Sequence, residues 1–343
     1  VEESDSLIVG STTPKLAIIG GRLEDDNAAV YDEMRRLSGG RIVVFATASS
    51  VPDEVGPETV AVFRAHGFDA VLAGVHGAGA ARAARTKAVA DLVEDYGSVY
   101  FTGGDQTQIT KALAPRGRES RVLKAIRAAQ LNGGLAAGSS AGAAMMSDVM
   151  ISGGTSLEAA TYGVVVDPTR PGMLLTPGLG FFSWGLVDQH FIKRGRFGRL
   201  VVGMQASGAK LGFGIDENTA LFVEGTIAHV IGEYGAFVLD LGEANADADQ
   251  RLIENIGFSY ADNGDSCDLE TGEDPARHHL RRPRPLAPQR LRRLYALRPH
   301  GAPGAGGPRG LSGGSRPRDR AQGGVRHQRR DISRRRPRSG LCS

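Results

Sequence analysis

Four short apolar runs, each ending in glycine or hydroxyl residues, constrain this chain more than any other feature. KLAIIG over residues 15–20 enters Gly20-Gly21, and RIVVFA over 41–46 enters Thr47-Ala48-Ser49-Ser50. SVYFT over 98–102 enters Gly103-Gly104, and a run over 134–137 enters Gly138. Apolar runs of this length bounded by turn formers read as buried strands. Helical spacing fills the gaps, over residues 26–37, 54–66, 80–96, 107–113 and 120–130, with one more short strand over 70–73. Strands alternating with helices predict an α/β fold, a mostly parallel sheet sandwiched by helices. Ligands meet such sheets at the carboxyl ends of the strands, so the glycine and hydroxyl segments should gather along one edge. Further on, Leu186-Val187 leads into Asp188-Gln189-His190, and the strand over 211–215 leads into Asp216-Glu217. Residues 220–223, 226–231 and 236–240 read as short antiparallel strands.

The chain has 343 residues, 41% of them hydrophobic, enough for one large domain. Its net charge of +3 conceals two unlike parts. Residues 274–343 hold 19 arginines, no lysine and three acids, a net of +16, which leaves the preceding part at −13. The expected organisation is an N-terminal extension over 1–14, a folded domain over 15–273 and an Arg/Pro/Gly-rich tail over 274–343. The tail lacks apolar periodicity and is expected to be disordered. Arginine without lysine beside so much proline and glycine reads as GC-rich DNA translated out of frame, which resequencing around Glu273 tests. Its basic charge is therefore read as a solvated segment, and nucleic acid is not an expected partner. Two cysteines, Cys267 and Cys342, form neither a disulfide framework nor a metal spacing. No run of about 18 apolar residues and no basic n-region occur. A cytoplasmic protein away from membranes is the expectation.

Gly138-Ser139-Ser140-Ala141-Gly142 fits G-x-S-x-G between a short strand and a helix, the setting of a nucleophile elbow. Small neighbours are needed because the turn is sharp. The helix start favours developing negative charge. The N–H of Ala141 can face an oxyanion, and Gly103-Gly104 can supply a second donor from Gly104. A serine nucleophile needs a base. Of eight histidines, His278, His279, His300 and His327 lie in the tail. His66 and His76 read as surface residues and His229 as a structural one. His190, in the polar run after a strand, is the candidate. Either Asp216 or Glu217 can orient it, since alternation sends the two side chains opposite ways. The order Ser, His, acid differs from the Ser, Asp, His order of α/β-hydrolases.

Taken together, Gly103-Gly104-Asp105-Gln106, the elbow, Asp188-Gln189-His190-Phe191 with Arg194-Gly195-Arg196 and Arg199-Leu200, and Gly214-Ile215-Asp216-Glu217 resemble the motif set of the cyanophycinases. These are relatives of the α-aspartyl dipeptidases with a class-I glutamine-amidotransferase-like (flavodoxin-like) fold. The resemblance runs from about Leu16 to Leu269. It implies Ser140 as nucleophile, His190 as base and Glu217 as the third member. It also implies that Gln106, Asp188, Gln189, Arg194, Arg196 and Arg199 shape the substrate site. Arginines there would hold carboxylates, and Asp188 a guanidinium or an amine. The implied activity is exopeptidase release of β-aspartyl-arginine dipeptide from the cyanophycin polymer, by a homodimer and without metal or cofactor. The rival expectations are an α-aspartyl dipeptidase and a catalytically silent binding protein of the same fold. Ser139 stands where the family carries threonine, which sets a second hydroxyl beside Ser140.

Overall fold

A computed structural model describes residues 14–247 and 252–272. The predicted extension before Pro14 and the tail over 274–343 lie outside the described residues. In chain order the first half comprises β1 (Lys15–Ile19), α1 (Ala28–Ser38), β2 (Arg41–Phe45), α2 (Pro52–Ala65), β3 (Asp69–Leu72), α3 (Ala80–Ala83), α4 (Lys87–Tyr96), β4 (Val99–Phe101), α5 (Gln106–Leu113), α6 (Arg121–Leu131), β5 (Leu135–Ser139) and α7 (Ala141–Ala144). The second half comprises β6 (Val149–Gly153), α8 (Ser156–Tyr162), β7 (Val164–Val165), β8 (Met173–Pro177), β9 (Leu186–Gln189), α9 (Phe197–Ser207), β10 (Leu211–Ile215), β11 (Thr219–Glu224), β12 (Ile227–Gly232), β13 (Ala236–Asp240), β14 (Asn245–Asp247), β15 (Leu252–Glu254), β16 (Gly257–Ala261) and β17 (Ser266–Asp268).

Eight strands form the main sheet in the order β17-β12-β11-β1-β5-β4-β2-β3. The five from β1 to β3 run parallel, and β11, β12 and β17 add an antiparallel edge. The apolar runs are continuous because both sheet faces are covered. Alternation divides them: Leu16, Ile18, Val43, Phe45 and Phe101 enter one core with Ile109, Leu123 and Ile126. Ala17, Ile19, Ile42, Val44 and Tyr100 enter the other with Val30, Met34, Val60 and Phe63 of α1 and α2. A second sheet, β16-β13-β10-β9, sets β9 parallel to β10. Its outer strand β16 is largely exposed. A smaller sheet, β6-β8-β7, packs with α8 and α9 around a third core.

One predicted element is divided. The helix expected over 80–96 is two helices, α3 and α4. The Ala84 carbonyl accepts the Val122 N–H at 3.0 Å, and Thr86 is extended at φ −74° and ψ 145°. A tertiary bond to α6 thus overrides the helical propensity of the alanine-rich run. Among the described residues no helix is long and apolar enough to cross a membrane.

Candidate active site

The elbow follows from packing at its two glycines. A Cβ on Gly138 would lie 2.4 Å from the Gly142 carbonyl oxygen, and one on Gly142 would lie 2.4 Å from the Phe101 carbonyl oxygen. Only glycine lets α7 leave β5 so sharply. Ser140 sits at the apex with φ 54° and ψ −106°, a strained conformation for a residue with a Cβ. Its side chain is half-buried, whereas Ser139 is buried and hydrogen-bonded to Tyr100 on the other sheet face. Burial, the larger effect, pushes the Tyr100 phenol up to about 12. The second hydroxyl therefore points away from the first.

The end of β1 gathers three distant segments. Successive carbonyls of Ile19, Gly20 and Gly21 accept the backbone N–H groups of Ser140 (3.0 Å), His190 (2.7 Å) and Asn218 (2.8 Å). Gly21 also makes room: a Cβ there would fall 2.5 Å from His190 Nε2. The side chains then meet. Ser140 Oγ lies 2.8 Å from His190 Nε2, and His190 Nδ1 lies 2.7 Å from Glu217 Oε1. With Nδ1–H donating to the carboxylate, Nε2 is in the form that can accept a serine proton. Burial pushes the His190 pKa below the usual imidazole value. The Glu217 bond opposes that shift, and the Arg194 and Arg196 charges reinforce it. The imidazole is therefore neutral at neutral pH, the form a base requires. His190 and Asn218 share positive φ with Ser140, at 48° and 50°.

Asp216 turns the other way. Its Oδ1 accepts the Ile192 N–H at 2.7 Å and braces the turn after His190. Burial raises its pKa, opposed by the backbone bonds from Ile192 and Lys193. Gly103 borders the elbow: a Cβ on it would lie 3.3 Å from that of Ser140. Gly104 takes φ 137° against the Ala48 carbonyl, and Ala141 opens α7.

The six residues expected to shape a substrate site divide. Arg194 is exposed at the rim, and Gln106 is half-buried with its amide bonded to the Ile151 carbonyl at 2.7 Å. Asp188 is 1% exposed, and both its oxygens are occupied. Arg199 Nε donates to Oδ2 at 2.7 Å and Nη2 to Oδ1. The expected guanidinium or amine site at Asp188 is thus filled from within the chain. Arg199 is itself buried, at 6% exposed. Its Nη1 also donates to the Gly154 carbonyl. Arg196 donates to the side chain and the carbonyl of Gln189. Burial, with Arg199 and Arg194 nearby, lowers the Arg196 pKa to about 10, so it stays cationic. The other histidines among the described residues are engaged elsewhere: His66 stacks on Tyr31, His76 lies 3.8 Å from Asp53, and His229 bonds Glu33.

A parallel sheet ending in a strained serine, beside an imidazole and a carboxylate, defines the hydrolase class of arrangement. Residues 16–231 match the model of Peptidase family S51, and the chain belongs to that family of peptidases. A cyanophycinase of a Nostoc species is 32% identical over 237 residues, covering 66% of this chain and 75% of the relative. Cyanophycinases of Geminocystis herdmanii and Synechococcus elongatus are 31% and 32% identical. They cover 54% and 67% of this chain, and 67% and 70% of their own lengths. The crystal structure of a peptidase from an acI-B1 actinobacterium shares the fold. Its TM-score is 0.57 at 19% identity, covering 76% of this chain and 98% of that one.

Proposed function

We propose that this peptidase is a serine exopeptidase that releases β-aspartyl-arginine dipeptides from cyanophycin. The observation that carries the reading is the unbroken relay of 2.8 and 2.7 Å contacts from Ser140 through His190 to Glu217. His190 takes the Ser140 proton as the hydroxyl attacks a backbone carbonyl of the aspartyl chain. The Ala141 and Gly104 N–H groups face the oxyanion. The imidazolium, held by Glu217, protonates the leaving amine. Water then cleaves the acyl-enzyme, with His190 again the base. Arg194 and Arg196 supply positive charge for substrate carboxylates, and Asp188 and Gln189 hold the Arg196 guanidinium in place. The relatives named cyanophycinase favour the polymer as substrate.

Ser140→Ala should abolish dipeptide release from insoluble cyanophycin while leaving the circular dichroism spectrum unchanged. Retained turnover would remove Ser140 from the mechanism. Assaying Asp-X dipeptides alongside the polymer separates this reading from an α-aspartyl dipeptidase.

A further inference from the structure

Two aromatic rings stand exposed near Asp216, the chain neighbour of the relay's carboxylate, and no step above uses them. Tyr234 and Tyr260 are each 48% exposed. Tyr260 lies on the outer strand β16, with its ring centroid 4.7 Å from that of Phe237. Its phenol end lies over Gly235, where a Cβ would be 2.5 Å from Tyr260 Cζ. The Gly235 carbonyl in turn accepts the Asp216 N–H at 3.3 Å. Tyr234 precedes Gly235, and its N–H donates to Thr219 Oγ1, which itself donates to the Glu217 carbonyl. The Tyr234 backbone, and the Gly235 backbone beneath the Tyr260 ring, are therefore both tied to residues within two positions of Glu217.

The setting of these rings is acidic. The Tyr234 hydroxyl bonds Glu233, with Glu24 and Asp216 close enough to act on it electrostatically. Asp262 and Asp216 act on Tyr260 in the same way. Glu24, Glu233 and Asp262 are all exposed. Glu233 accepts one bond from Asn218 Nδ2 at 3.1 Å, and an apolar occupant would cover the rings but strip water from the remaining carboxylate oxygens without pairing them. A planar cation satisfies both, stacking on the ring face and pairing with the acid.

We propose that Tyr234 and Tyr260, with Glu233, form a subsite for a guanidinium side chain of the substrate. It rests on the function proposed above insofar as it takes an arginine-bearing peptide as ligand. The exposed Arg194, which acts on His190 electrostatically, offers the opposite charge beside the relay. A substrate unit carrying one carboxylate and one guanidinium meets a partner for each.

The test uses two short aspartyl peptides, one with arginine amide-linked to its side chains and one with the neutral isostere citrulline. Each is titrated calorimetrically into the full-length Ser140→Ala protein. The arginine peptide should bind about three- to thirty-fold more tightly. The gap should close in the background Tyr234→Leu/Tyr260→Leu and persist in Tyr234→Phe/Tyr260→Phe, which keeps both ring faces. Equal affinity for the two peptides in the Ser140→Ala protein, or a gap unchanged by the leucine pair, would overturn the subsite. Turnover of the arginine peptide by the chain with Ser140 intact reads the proposed function separately. Its absence would sink that function while the binding contrast still decides the subsite.

Discussion

At residue 21 a methyl group is enough to disturb the relay. Gly21 has φ 111°, and a Cβ there would overlap the His190 ring. Gly21→Ala should lower kcat by about 100-fold or more through displacement of the imidazole, since misplacement on the ångström scale costs about that much. Ser139→Ala, which loses only the bond to Tyr100, should keep most of its turnover. Steady-state kinetics on the two variants would show whether the hydroxyls divide as their orientations require. The pH profile belongs to the same scale. Burial holds the His190 pKa below its ordinary value. On the proposed mechanism the base acts when neutral, so kcat/KM should stay level through pH 7 and fall only on acidification below about 6.5. Arg194→Gln removes a neighbouring cation, makes the imidazolium less unfavourable, and should move that acid limb to higher pH. A limb moving the opposite way would contradict the electrostatics. The sequence made Ser140 and His190 legible through their motifs. Between Asp216 and Glu217, alternation required opposite directions but could not say which met the imidazole. That depends on where Ile192 and His190 lie in space.

Among elements, the join between β9 and α9 is held by charge inside the protein. Asp188 and Arg199 are nearly inaccessible and make two contacts with each other. Removing one member leaves the other buried and unpaired. Arg199→Met alone should therefore cost on the order of 3–5 kcal/mol in urea unfolding, and the pair Asp188→Leu/Arg199→Met markedly less. The strands and helices of the first 140 residues were legible because their apolar spacing is regular. The division of the helix over 80–96 was not, because its cause is a carbonyl bonded to α6. Nor was the region of β6, α8, β7 and β8, where short irregular strands give no clear period. The burial of Arg199 was equally hidden, since an arginine in a charged run is indistinguishable from a solvated one until its partner is placed.

Across the whole molecule, every residue of the relay falls within residues 14–272. On the proposed function, a chain ending at Glu273 should therefore release dipeptide as fast, per mole, as the full-length chain. A chain ending before Ser266 loses β17, which pairs with β12 and closes that side of the sheet. Leu269, buried against the main core, goes with it. Its thermal midpoint should fall, which differential scanning calorimetry would record. The three carbonyls at the end of β1 carry a further consequence. They are made early in synthesis, yet the segments they hold come from residues 140, 190 and 218. A nascent chain has its hydroxyl long before its base, and the two are not aligned until the segment around Asn218 has emerged and docked. On the proposed mechanism, the half-made enzyme is chemically mute, and proteolytic power arrives only with the finished fold.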